Sequence, residues 1–335
     1  MASDTFQSIT IEGFKSIRSI KDLPLRPINI LIGANGSGKS NFLEAFVFLD
    51  KAISEQVDSY VAMQGGADSL LHYGSKTTHE FHLNLRATNF SFRGARYGYA
   101  AGDLLAGATF GGGFAGSTRP SFTVYQFHDT GFDSRMKKTN RIDDNRSLRA
   151  DGANLAAFLY RLKLKHLDCY GLIRRTAQQV APFFVDFRLE PLALNPDTIK
   201  LEWEHERSDR YWDAASFSDG TLRFIALATM FLQPVELRAS VILVDEPELG
   251  LHPYAIGLLA SLIRQASKDT QVIVATQSTL LLDYFEPEDV LVANRVDGAT
   301  TIERLRAEPL ATWLEDYSLG QLWEKGELGG RPGKE

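Results

Sequence analysis

The sequence predicts an α/β fold around a parallel sheet, on three observations. An apolar β-rich run, INILI at 28–32, ends in a glycine loop that opens a helix. A second run, SVILVDEP, places four apolar residues directly before Asp245-Glu246. After residue 215 strands and helices alternate, as crossovers between parallel strands require.

In chain order, SITIEGF opens the chain as a strand, with Ile9, Ile11 and Phe14 as its apolar positions. INILI is the second strand, and 41–56 carries apolar residues at helical spacing. FHLNLRATNFSF and SFTVYQFHD alternate like antiparallel strands, and the glycine-rich stretch 94–120 between them reads as a flexible loop. From Asn154 to about Gln179 the pattern is one amphipathic helix (Leu155, Phe158, Leu159, Leu162), and 220–237 is another apolar helix. A helix at 253–267, the strand QVIVAT at 271–276, a closing helix pair and a polar tail complete the chain. The expected organisation is a single domain in three stretches. A β-rich lobe spans 1–150, a helical and strand insertion 151–215, and a sheet with C-terminal helices 216–335.

Composition narrows the class. The 335 residues are 44% hydrophobic and 23% charged with a formal charge of -6, an ordinary globular balance that argues against coating nucleic acid by bulk charge. A single cysteine, Cys169, excludes a disulfide scaffold and a cysteine-rich metal site, and reads as a small core residue. Apolar runs fall far short of the ~18 residues a membrane helix needs, and MASDTFQSIT lacks signal-peptide character, so a cytoplasmic protein without membrane contact is expected. There is no 20- to 50-residue repeat and no heptad run long enough for a coiled-coil arm.

Gly33-Ala34-Asn35-Gly36-Ser37-Gly38-Lys39-Ser40 fits G-x-x-x-x-G-K-[ST]. Glycines let the backbone curl so that N–H groups converge on phosphate, and the helix N-terminus adds its dipole. Lys39 is placed to reach the β and γ phosphates of ATP, and the Ser40 hydroxyl to hold Mg²⁺. Asp245, at the C-terminal end of a buried strand, is placed to orient Mg²⁺. Glu246 is placed to polarise the attacking water as general base. More than 200 residues separate Lys39 from Asp245, so a large insertion divides the nucleotide fold. Ser218-Asp219-Gly220 opens a further helix and makes a second anion-binding end, which two facing chains could turn onto one triphosphate.

GANGSGKSN, FSDGTLRFIAL, VILVDEPELGLHP and VIVATQS, in that order, resemble the SMC/RecF-type ATPases, relatives of ABC transporter ATPase domains. The ends of the chain are similar to a stand-alone AAA-type subgroup without the long coiled coil. The resemblance implies a P-loop NTPase fold of ABC-ATPase head type and ATP hydrolysis, which the uncharged Gln277 is expected to make slow. It further implies a role in DNA maintenance or anti-phage defence beside a separate effector, such as a nuclease. It extends the nucleotide contacts to Asn41 and Lys15, and implies that Ser218 and Gly220 contact ATP bound by a second copy in a head-to-tail homodimer, with 248–253 as the D-loop. Gln277 stands where the family's switch histidine sits. It can hydrogen-bond a γ-phosphate oxygen but carries no charge. Gln64 and Gln126 are the alternatives for the Q-loop glutamine. The other readings are a non-hydrolysing nucleotide-gated binding module and, against the stand-alone character of the chain ends, a transporter ATPase subunit.

The segment 135–149 carries six basic residues against two acids and reads as a solvated loop or, with Lys137, Lys138 and Arg141, as a contact for DNA phosphates. His79 and His82 lack partners at metal-ligand spacing.

Overall fold

The computed structural model describes residues 6–87, 91–100, 103–111 and 121–330. Two compact units are interleaved along the chain. One comprises residues 1–124, 239–245 and 269–335, the other 125–238 and 246–268.

The first unit carries two sheets. In the six-stranded sheet, Ile28–Ile32 lies between Gln271–Thr276 and Val290–Val296 and is parallel to both. Val241–Asp245 is parallel to the far side of Gln271–Thr276. Ala299–Arg304 closes one edge as an antiparallel hairpin, and Phe122–Tyr125 closes the other. The central strands are buried on both faces, which is why their sequences are unbroken apolar runs. Register pairs Ile32 with Thr276 and Ala275 with Asp245, so the residues following these three strands share one sheet edge.

The antiparallel sheet runs Ile17–Pro24, Phe6–Phe14, Glu80–Ala87, Ser91–Ala100, Asp103–Gly111. Helix Lys39–Ile53 turns Phe42, Phe46, Phe48 and Leu49 into the shared core, where Phe48 meets Phe81 edge-on at 4.9 Å between centroids. The expected loop at 94–120 is corrected over most of its length: residues 91–100 and 103–111 are paired strands, and 101–102 and 112–120 lie outside the described residues. Ladder hydrogen bonds between neighbouring strands hold this glycine-rich run extended despite its weak β propensity.

In the second unit, four helices among the described residues pack in succession, Leu155–Lys165, Leu167–Val180, Asp219–Leu232 and Pro253–Ala266, and Asp219–Leu232 is buried on almost every side. The single helix expected from Asn154 is two, Leu155–Lys165 and Leu167–Val180, broken at His166 (φ −139°, ψ 59°). No glycine or proline marks the break, and His166 belongs to the hydrogen bonding of both helices: its N donates to Leu162 O and its carbonyl accepts from Tyr170 N. The helix expected at 220–237 ends at Leu232, because Pro234 cannot continue it. Cys169, expected in the core, is half-buried, and burial pushes its thiol pKa up. Trp203 anchors a cluster of aromatic side chains. It stacks on Phe217 at 4.5 Å and donates from Nε1 to Asp213 O at 3.1 Å.

Candidate nucleotide site

Strand Ile28–Ile32 delivers the loop Gly33–Gly38 to the sheet edge, and helix Lys39–Ile53 begins directly after it. The helix has left-handed Gly38 at its N-cap, no side-chain cap and no acidic residue in its first turn. By contrast, Ser218, Ser278 and Ser318 cap their helices with their own hydroxyls. An uncapped N-terminus with its dipole intact suits an anion. Gly38 is required twice over. Its φ is +99°, and a Cβ there would collide with Thr300 Oγ1 and lie 2.8 Å from Ser16 Oγ. Gly38→Ala is therefore expected to destabilise the fold by about 2–3 kcal/mol, checked by denaturant unfolding against wild type.

Lys39 is buried, and its Nζ donates to Gly33 O at 2.7 Å and Ala34 O at 3.1 Å, which holds the ammonium across the loop. Ser40 Oγ donates to Asp245 Oδ2 at 3.4 Å, bringing together residues 205 apart in sequence. A hydroxyl and a carboxylate are the hard oxygen donors that Mg²⁺ accepts beside phosphate, so this pair could hold the ion. Gln277 is exposed just beyond Thr276 and lines a cavity of about 360 Å³ with Gly33, Ala34, Asn35, Trp323 and Glu324. Trp323 and Glu324 come from helix Leu319–Lys325. Nothing in the chain order pointed to them, because the helix pair was legible but its docking place was not.

Lys15 and Glu246 both adopt left-handed backbone, with φ of +46° and +44°. Such positions are strained for side chains with a Cβ and concentrate at functional sites. Lys15 forms an ion pair with Glu44 on the helix that follows the loop, and its carbonyl accepts from His72 Nδ1 at 2.7 Å. Asn41 Nδ2 donates to Ser16 Oγ at 2.7 Å. Gln64, at the end of helix Val57–Met63, and Gln126 are both exposed.

Within the second unit, Phe217 fixes the approach to Ser218, whose Oγ caps the helix by accepting from Thr221 N at 3.1 Å. A Cβ on Gly220 would strike the carbonyl of Gly250, so the helix start lies against the loop 248–253. Arg223 ties these pieces together. Its guanidinium donates to Phe127 O at 2.9 Å, His128 O at 3.0 Å and Leu249 O. Burial pulls its pKa below the usual arginine range, with Asp219 opposing the shift. Sequence reasoning passed over Arg223, because it looks like a surface cation on an otherwise apolar helix.

Five of the six cations in the basic segment form ion pairs, four of them at the surface. Lys137 has a side chain only 9% exposed, and it donates to Thr130 O at 2.6 Å and pairs with Asp219 at 3.5 Å. Lys138 pairs with Asp133 at 2.9 Å, and Arg141 grips Asp143 through two bonds of 2.9 and 2.7 Å. Arg135 and Arg149 pair with Asp151 and Asp144. Counting charges within the window missed the aspartates supplied from outside it. His82 Nε2 lies 3.2 Å from Glu80 Oε1, and His79 is exposed. Among the described residues, no helix is long and apolar enough to cross a membrane.

No curated protein matches the sequence. Among solved structures, an SMC head bound to the C-terminal winged-helix domain of ScpA aligns with TM-score 0.62 and 18% identity, covering 91% of this chain and 99% of that one. The SMC head with a coiled coil and joint from Pyrococcus yayanosii aligns with TM-score 0.58 and 12% identity, over 93% and 99% of the two chains. The Pyrococcus furiosus SMC head with an extended coiled coil, bound to the C-terminal domain of ScpA, aligns with TM-score 0.56 and 17% identity, over 93% and 98%. These likenesses give the fold: a P-loop NTPase of the ABC-type SMC head class. Residues 28–283, more than half of the chain, match the family described as "AAA domain, putative AbiEii toxin, Type IV TA system", and the chain belongs to that AAA family, with the SMC/RecF-like ABC-ATPase architecture.

Proposed function

We propose that this chain binds Mg·ATP on the loop Gly33–Asn41 and hydrolyses it slowly, and that two copies close head-to-tail on the nucleotide to gate a separate effector protein in DNA maintenance or anti-phage defence. The carrying observation is the convergence at one sheet edge of an uncapped helix N-terminus, the Lys39 ammonium and the Ser40–Asp245 oxygen pair. Together they provide N–H donors and a cation for phosphate, and hard oxygen ligands for Mg²⁺. Bound Mg²⁺ would supply charge neutralisation on the phosphates.

In this reading Glu246 accepts a proton from the attacking water. Gln277 hydrogen-bonds the terminal phosphate without charge, which favours low turnover. Ser218 and Gly220 present a helix start to the nucleotide of the second copy. Two of the matched SMC heads are solved with domains of ScpA, which supports a docked effector as the output.

The test is light scattering with and without Mg·ATP, alongside phosphate release. A doubling of mass on ATP with slow release is expected. Constant mass with no turnover would favour the non-hydrolysing module. A second expectation is optical. Trp323 lines the cavity beside Gly33, so Mg·ATP should change its emission, and Trp323→Phe should remove that change while Trp313→Phe keeps it. An unaltered nucleotide response in Trp323→Phe would place the ligand elsewhere.

A further inference from the structure

Thr300 lies 263 residues from Ser37 in sequence, on the hairpin strand Ala299–Arg304 at the sheet edge, and is 1% exposed. Its Oγ1 donates to Ser37 O at 2.8 Å. The same oxygen lies 2.7 Å from Ser16 Oγ, which in turn accepts from Asn41 Nδ2 at 2.7 Å. Each hydroxyl has one proton, so the direction of the chain is determined. Thr300 gives its proton to the Ser37 carbonyl, which can only accept. Ser16 must then give its own to Thr300, and Asn41 gives one to Ser16. Thr300 N also donates to Ser16 O at 2.7 Å, locking the two segments in register.

The chain ends on a peptide group of the phosphate loop itself. No peptide bond among the described residues is cis, so the Ser37 C=O and the Gly38 N–H of one planar group point in opposite directions. With the carbonyl held on Thr300, the Gly38 N–H is directed away from Thr300. Gly38 itself sits against Thr300 and Ser16, where a Cβ would not fit. A glycine-rich loop has little resistance to peptide rotation of its own, so an external bond must set that orientation.

We infer that Thr300 is a positioning residue for nucleotide binding: through the relay Asn41–Ser16–Thr300 it fixes the Ser37–Gly38 peptide so that its N–H faces phosphate. This rests on reading Gly33–Ser40 as the phosphate site. Preorganised donors bind an anion without reorganising, so losing the clamp should weaken binding even where the fold survives.

The experiment is titration of Mg·ATP, with a slowly hydrolysed analogue as control, into wild type, Thr300→Val, Thr300→Ser and Lys39→Ala, with melting temperatures measured in parallel. Valine keeps the β-branched shape and removes the hydroxyl, whereas serine keeps the hydroxyl and removes the methyl. Thr300→Val is expected to lose about tenfold in affinity, and Thr300→Ser to return to within about twofold of wild type. A folded Thr300→Val with wild-type affinity overturns the inference, and so does an equal loss in both variants, which would mark a packing role. If Thr300→Val does not fold, Ser16→Ala, which removes the middle of the relay, must weaken binding, and unchanged affinity there overturns the inference as well. Wild type that binds no nucleotide, or Lys39→Ala that binds as wild type does, overturns the phosphate-site reading and this inference with it. Loss on Lys39→Ala with none on Thr300→Val overturns the inference alone.

Discussion

Lys39→Ala is expected to abolish ATP binding while the protein still folds. The ammonium already spans the loop on the carbonyls of Gly33 and Ala34, so it lies where phosphate oxygens would meet the uncapped helix end. Charge-assisted bonds of this kind contribute roughly 1.5–3 kcal/mol each, so their loss should raise Kd by a hundredfold or more. The truncation also leaves two loop carbonyls short of a donor, and Lys39→Met separates this packing effect from the loss of charge. Titration with a fluorescent ATP analogue reads the result, and binding within a few-fold of wild type in both variants would remove ATP from this loop.

Glu246→Gln is expected to keep ATP, lower turnover by roughly 10²- to 10⁴-fold, and accumulate a dimer under saturating Mg·ATP. Glutamine is nearly isosteric and takes the same backbone, so the strained φ of +44° is unchanged and only the proton acceptor is lost. The readouts are single-turnover phosphate release and mass by light scattering. A variant that stays monomeric with ATP bound would sink the sandwich, and one that turns over normally would move the general base to another residue. Since Gln277 contributes no charge, the wild-type rate is itself expected to be low, which makes single-turnover conditions the cleaner comparison.

Much of the fold was legible because its signals are local. Three apolar runs, 28–32, 241–245 and 271–276, could be read as buried strands. The residues that follow each run share one sheet edge because parallel strands align their C-terminal ends. The glycine-rich stretch after residue 91 misled for the opposite reason. Its composition favours loops, yet neighbouring strands supply hydrogen-bond partners that composition cannot show. The break at His166 was invisible because no residue there forbids helix, and only packing around it selects the kink. The ion pairing of the basic segment could not be read in advance, because Asp133, Asp151 and Asp219 lie outside the window.

By itself, then, the sequence determined the phosphate-loop motif, the apolar strand leading to Asp245, and the α/β class. Each depends on residue types at fixed short spacing, and backbone geometry converts such spacing directly into shape. Tertiary structure alone decided that Thr300 bonds the Ser37 carbonyl and meets Ser16, 284 residues away, that Trp323 lines the cavity beside Gly33, and that Arg223 gathers the carbonyls of Phe127, His128 and Leu249. These contacts join distant segments through single polar atoms. No periodicity carries such information, because the partner of a buried hydroxyl or guanidinium is set by where the whole chain has packed.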